Sequence, residues 1–191
     1  MASASSRARG SKFVRVGEIL EPGLAVTGPD SEAALTAARA RRVEIRTVRA
    51  GETFRAGRLR LHVLWPEDAG APGEDPNQNA VVLVASYGRT DVYLSADAES
   101  DVTARLPLSD VDIMKVAHHG SEDPGLADEL RTLRPEIAVI SCGRDNEYGH
   151  PRRETLAALA SVPGLDVYRT DQDGRVIIES DGHEFVARTQ R

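Results

Sequence analysis

Lys115-Val116-Ala117-His118-His119-Gly120-Ser121 completes and follows an apolar run, Val111 to Ala117, that reads as a buried strand. Two imidazoles and a glycine at such a strand end stand where layered α/β folds hold their ligands. Just upstream, Val92-Tyr93-Leu94-Ser95-Ala96 delivers Asp97 in the same way, so an oxygen donor and a nitrogen donor leave neighbouring strands together. The pairing suggests a metal site, because a carboxylate can bridge two cations and a neutral imidazole can ligate one. Both residues also have plainer readings: Asp97 as the cap of a helix beginning near Ala98, and His118 as a hydrogen-bonded histidine at a strand end.

Between Asp97 and His118 there is room for one helical crossover. Outward from this pair, the periodicity predicts strands at Val14 to Glu21, Val43 to Val48, Leu59 to Leu64, Ala80 to Ser86 and Asp91 to Ala96, with a helix capped by Asp30 or Ser31 and running through about Ala40. Tyr87-Gly88-Arg89-Thr90 turns two of these strands into a hairpin. Pro66 to Asn79 is a polar loop rich in Gly, Pro, Asp and Asn. From Ala98 the pattern becomes helix, strand Val111 to Val116, helix Gly125 to Leu133, strand Glu136 to Ser141 and helix Pro151 to Ala160. Strands follow at Val167, Val176 to Glu179 and Glu184 to Ala187, closing in a small antiparallel meander. This alternation defines an α/β, α+β layered class.

The chain has 191 residues, 40% hydrophobic and 28% charged, which suits a single domain with a real core. No apolar run approaches the roughly 20 residues that span a bilayer, and Met1 to Lys12 has no apolar centre, so neither a membrane segment nor a secretory signal is expected. A soluble chain, cytoplasmic by default, is the expectation, with residues 1–12 disordered and the domain over 13–191. The single cysteine, Cys142, can form no internal disulfide and reads as a small packing residue. Charge divides unevenly: residues 1–60 hold 12 Arg or Lys against 6 Asp or Glu, and residues 61–191 hold 12 against 24. An acidic second part repels a polyanion unless cations or local basic groups intervene, which favours a divalent-metal site over a simple basic groove.

His119 follows His118 directly, and on an extended segment it would face the other way, so it reads as a neighbour of the metal position rather than a ligand. Gly120 and Ser121 offer backbone N–H groups that an anion, or an ordinary turn, could use. Asp145-Asn146-Glu147-Tyr148-Gly149-His150-Pro151 opens the next helix. His150 there is open to two readings, holding a substrate phosphate or protonating a leaving group on one side, capping the helix on the other. No Gly-x-Ser-x-Gly elbow, Walker loop, Cys-x-x-Cys pair or dinucleotide glycine fingerprint occurs, which removes serine hydrolase, NTPase, zinc-finger and Rossmann readings.

These motifs resemble the metallo-β-lactamase-like C-terminal domain of ComEC-type competence proteins, which internalise DNA. The resemblance is carried by Asn77-Gln78-Asn79-Ala80-Val81-Val82-Leu83, Tyr93-Leu94-Ser95-Ala96-Asp97, Lys115 to Ser121, Asn146 to Pro151 and Tyr168-Arg169-Thr170-Asp171. It implies an αββα sandwich in which Asp97 bridges metals, His118 ligates, and His150 stands at the mouth of the site. Asn77, Asn79, His119, Ser121 and Tyr148 would border the substrate. It further implies hydrolysis of DNA phosphodiesters by water activated on manganese or zinc.

Two departures follow from the same comparison. The family usually has Gly before the bridging Asp, where Ala96 stands here. The family's upstream His-x-x-x-Asp-His segment, a source of further metal ligands, should precede Val14, yet residues 1–13 contain neither His nor Asp. The expectation is a domain truncated on its N-terminal side, with an exposed apolar sheet face, one or two ions only if another copy or an upstream half-domain completes the site, and no direct membrane insertion by this chain. Against the nuclease reading stand a catalytically incomplete remnant that binds DNA or protein, and a metallo-hydrolase of small molecules.

Overall fold

A computed structural model of the chain describes residues 15–23, 28–68 and 75–191, so the expectation for residues 1–12 lies outside the described residues. Two compact units emerge. The first contains strand β1 (Glu18–Glu21), helix α1 (Pro29–Ala40) and all but the last residue of strand β2 (Glu44–Thr47), with β1 and β2 in a two-stranded sheet. The helix is capped two to three residues earlier than expected. Gly28 occupies the cap and Pro29 the first turn, where proline's fixed φ suits a helix and its missing N–H costs nothing.

The second unit, from Thr47 onward, is built on seven strands: β3 (Thr53–Ala56), β4 (Leu59–Trp65), β5 (Val82–Tyr87), β6 (Thr90–Leu94), β7 (Ile113–Lys115), β8 (Ile137–Ile140) and β9 (Asp166–Arg169). They lie in that order in one sheet. Pairing is antiparallel from β3 to β6 and parallel from β6 to β9. The parallel strands are short apolar runs such as Ile137-Ala138-Val139-Ile140, as expected where both faces are covered. Helices α2 (Ser100–Thr103), α3 (Leu126–Leu133) and α4 (Arg153–Ala160) form the crossovers, and α5 (Thr170–Asp173) is a single turn after β9.

One sheet face carries Val82, Val84, Tyr93, Met114 and Ala138, which pack with Val102 of α2, Leu126, Leu130 and Leu133 of α3, and Leu159 of α4 into the core. The α3 leucines recur at helical spacing and are each no more than 2% exposed. Each contributes about 1.5–3 kcal/mol by leaving water. On the opposite face Leu83, Val92, Leu94 and Val139 are half-buried. The large apolar side chains that are exposed among the described residues are Val16, Tyr148 and Val186.

Strand β9 joins the large sheet in parallel, so the predicted three-stranded closing meander is instead a single hairpin, β10 (Arg175–Ser180) with β11 (Phe185–Gln190). Its turn meets the β5–β6 turn. The Arg89 N–H donates to the Gly182 carbonyl at 2.7 Å, and the Thr90 and Ser180 hydroxyls are 2.7 Å apart. Gly88 adopts a left-handed φ of 64°, and a Cβ there would overlap the Gly182 backbone. Strand β3 escaped prediction because Thr53-Phe54-Arg55-Ala56 is half polar and only Phe54 is sheltered.

Candidate functional site at the strand ends

Because β6, β7 and β8 are parallel, their C-terminal ends open on one side, and the residues that follow them meet there. Asp97 follows β6, His118 and His119 follow β7, and Ser141 follows β8. The chain reaches this geometry through three non-glycine residues in the left-handed region: Ala96 at φ 52°, His118 at 42° and His119 at 57°. Such conformations are costly and persist where the surroundings over-determine them, which is typical of ligand-holding segments. The segment Ala117–Gly120 is therefore a tight turn, where an extended run had been expected.

His119 Nε2 lies 3.8 Å from Asp97 Oδ1, while its Nδ1 is 2.7 Å from the Ser141 carbonyl. His118 Nδ1 is 3.1 Å from Glu99 Oε1, and the ring centroids of His118 and His119 are 6.3 Å apart. On this turn the two histidines meet different partners, and it is His119 that lies against Asp97. Asp97 does not cap α2; the capping position belongs to Glu99.

Two residues that sequence reasoning passed over organise the site. Lys115 places its ammonium 2.7 Å from the Ala96 carbonyl, 3.2 Å from the Val116 carbonyl and 3.8 Å from Asp97 Oδ1. Burial pulls its pKa down, while Asp97 opposes that shift. Glu99 accepts from the Ser121 hydroxyl on the oxygen that faces His118. Burial pushes its carboxyl upward and the His118 imidazole counters it. Their signal was present: Glu99 stands two residues after Asp97, and Lys115 is the one basic residue in an apolar strand.

Ser121 is committed to this scaffold. Its N–H donates to the His118 carbonyl at 3.0 Å, so that group is not free for an anion, and its carbonyl accepts from Thr155 of α4. His150 is held by Asn146, which accepts from its N–H at 2.9 Å and donates to its carbonyl at 2.7 Å. Its ring lies 5.7 Å from that of His118 and nearly parallel to that of exposed Tyr148, 6.0 Å away. Among the described residues the buried His150 Nδ1 has no hydrogen-bond partner. Burial, and then the positive charge available at His118, Arg152 and His119, lowers the His150 pKa. His150 does not cap α4, whose capping residue is Arg152.

Asn77 and Asn79 belong to a 3₁₀ turn whose start is fixed by the Asp75 carboxylate, which accepts from the Asn77 N–H at 2.9 Å. Asn79 is buried. Gln78, between them, ties the turn to α2 through Asp101 at 2.6 Å. Cys142 packs against the core and donates its thiol to Asp171, and burial pushes that thiol up to about 11. This agrees with a packing cysteine.

The donor chemistry fits a cation in part. With Nδ1 engaged by Glu99, His118 keeps Nε2 for a ligand, and Asp97 is partly open to solvent. Among the described residues no three His, Cys, Asp or Glu side chains are grouped to hold a metal ion. No helix among them is long and apolar enough to cross a membrane.

A mixed sheet flanked by helices, with its candidate site at the parallel strand ends, defines a metallo-β-lactamase-like α/β fold. A solved structure assigned as a metal-dependent hydrolase of Parabacteroides distasonis shares this fold, with TM-score 0.50 and 16% identity over 84% of this chain and 78% of that one. The chain is a homologue of the ComEC-type proteins. It is 32% identical over 168 residues to ComE operon protein 3 of Bacillus subtilis, covering 86% of this chain. It is 30% identical over 122 residues, or 57% of this chain, to Recombination protein 2 of Haemophilus influenzae. It spans only 21% and 15% of the length of these curated relatives. No family model matches the sequence.

Proposed function

We propose that this chain is the hydrolase part of a ComEC-type DNA-uptake protein, and that its strand-end site cleaves phosphodiesters of DNA. The observation that carries this reading is the convergence of Asp97, His118 and His119 on a turn held in left-handed backbone, in a chain homologous to ComE operon protein 3. Asp97 and His118 are the residues to hold a divalent cation, manganese or zinc, with further donors supplied from outside the described residues by an upstream half-domain or another copy. When bound, such a cation lowers the pKa of a water and neutralises phosphate charge.

The chain's own residues do the remaining work. Glu99 fixes the His118 ring by accepting from Nδ1, and Lys115 holds the Ala96–Asp97 turn while balancing the carboxylate. His150, beside Tyr148 and facing His118, is placed to meet the phosphate or the leaving oxygen of a strand. Asn77, Asn79, His119 and Ser121 border or brace that space.

The limit of two donors favours a second reading, a non-catalytic module that binds DNA or a partner without holding a cation. Elemental analysis after incubation with manganese and with zinc tests both, comparing wild type with Asp97→Asn plus His118→Ala. Stoichiometric metal that disappears in the double variant, together with DNA cleavage, supports the hydrolase. A chain that holds no metal in either form supports the binding module.

A further inference from the structure

Strand β9 ends where its last pair with β8, Arg169 with Ile140, gives way to α5. One residue further, a side chain takes over from backbone pairing. The Thr170 hydroxyl accepts from the Cys142 N–H at 2.9 Å and donates to the Cys142 carbonyl at 2.8 Å, so a single oxygen serves both polar backbone groups of one residue. Thr170 is itself fixed. Its carbonyl accepts from the Gly174 N–H at 3.2 Å, and the Asp173 carboxylate accepts from the Arg169 N–H at 2.8 Å. Asp171, paired with Arg169 at 2.7 Å, adds a second hold by accepting from the Cys142 thiol at 3.2 Å.

What this grip controls lies on the other side of the peptide. The Cys142 N–H and the Ser141 carbonyl belong to one planar trans peptide group, in which N–H and C=O point in opposite directions. With its N–H turned to Thr170 on the β9 side, the group turns its carbonyl toward β7, the strand on the other side of β8. That carbonyl stands 2.7 Å from His119 Nδ1.

A carbonyl only accepts, so this contact requires a proton on Nδ1 and leaves Nε2 of the neutral ring as a bare acceptor. Nε2 is the atom 3.8 Å from Asp97 Oδ1. Donation of the peptide N–H to a hydroxyl also polarises the carbonyl and strengthens its hold on the ring. The opposite tautomer would aim a donor at Asp97 and engage a carboxylate that the site needs open.

We propose that Thr170 is a positioning residue of the strand-end site: through the Ser141–Cys142 peptide it fixes the His119 ring in the Nδ1-protonated tautomer, with Nε2 turned to Asp97. The use of that open nitrogen rests on the phosphodiester-cleaving function proposed above; the tautomer itself does not.

Nitrogen NMR of the imidazoles in the full chain, free of metal and near pH 8 where histidine is neutral, tests this. Wild type is expected to hold His119 mainly protonated on Nδ1. Thr170→Val keeps the branched shape without the hydroxyl and should lower the ratio of Nδ1–H to Nε2–H at His119 about tenfold, as loss of one hydrogen bond allows. Thr170→Ser should restore the ratio. His118, whose Nδ1 is held by Glu99, should keep its tautomer in both variants. A His119 protonated on Nε2 in wild type, an unchanged ratio in Thr170→Val, or an equal change at His118 would overturn the assignment. The first of these needs no variant, so the test stands should the valine chain fail to fold. DNA cleavage by the same samples reads the proposed function separately: the expected tautomer in a chain that leaves DNA intact supports the role of Thr170 and counts against the hydrolase.

Discussion

The Lys115 ammonium donates to the Ala96 carbonyl at 2.7 Å, and this bond clamps the one residue that must turn left-handed to present Asp97. The same carbonyl accepts from the His118 N–H at 3.2 Å, so both strand ends are stitched at a single oxygen. Ala96 sits at φ 52°, where glycine is at ease and alanine is strained. Replacing Ala96 with glycine should therefore stabilise the chain by about 1 kcal/mol. Urea unfolding measures this; a lower midpoint would mean that the alanine methyl contributes more packing than its backbone costs.

His118 depends on Glu99 for its orientation. If His118 ligates a cation, Glu99→Ala should weaken manganese binding about 10- to 100-fold, and Glu99→Gln should recover part of the loss. Paramagnetic resonance of the titrated manganese gives the affinity, and nitrogen NMR of the imidazole reports which ring nitrogen carries the proton. Unchanged affinity together with an unchanged ring tautomer would separate Glu99 from the site.

Gly120 joins the histidine turn to the His150 segment. A Cβ on it would stand 2.7 Å from the Pro151 Cβ, at a φ of 82°. Gly120→Ala should cost about 1–3 kcal/mol and displace His150 relative to His118. Thermal unfolding reads the first effect, and a changed His150 ring resonance reads the second.

A buried acid on the helix side gives a pH signature of its own. Tyr93 donates its hydroxyl to Glu129 at 3.1 Å, and both residues are buried. Burial raises the Glu129 carboxyl, with the Thr103 and Tyr93 hydroxyls pulling the other way, and burial also raises the Tyr93 phenol. A carboxyl raised on folding contributes fully below its unfolded pKa of about 4.5, and that contribution is lost as pH rises through the folded value. Glu129→Gln should therefore match wild type near pH 4 and exceed it near pH 8. Denaturation midpoints across that range decide it, and a gap of constant size would refute the burial argument.

Much of this molecule is written in local pattern. The apolar runs ending at Lys115 and Ile140 placed the parallel strands, and the Asp97 and His118 motifs placed the strand ends where they meet. What escaped was conformational. The left-handed turn of His118 and His119 has no glycine to announce it before Gly120, so the direction of the second imidazole could not be read from alternation. Glu99 and Lys115 act through packing distances across a crossover, which no spacing along the chain expresses. The short polar strand Thr53–Ala56 exists because Leu59–Trp65 offers it a partner, a tertiary reason that overrides its own weak propensity.

The abutting turns at Gly88 and Gly182 make two distant positions answerable to one another. A side chain gained at Gly88 would have to be met by a retreat of the final hairpin, which would also part Arg89 from its acceptor and Thr90 from Ser180. Neither turn is a place for an inserted loop, a fused tag or an epitope graft. In descendants of this sequence the two glycines should be kept or lost as a couple.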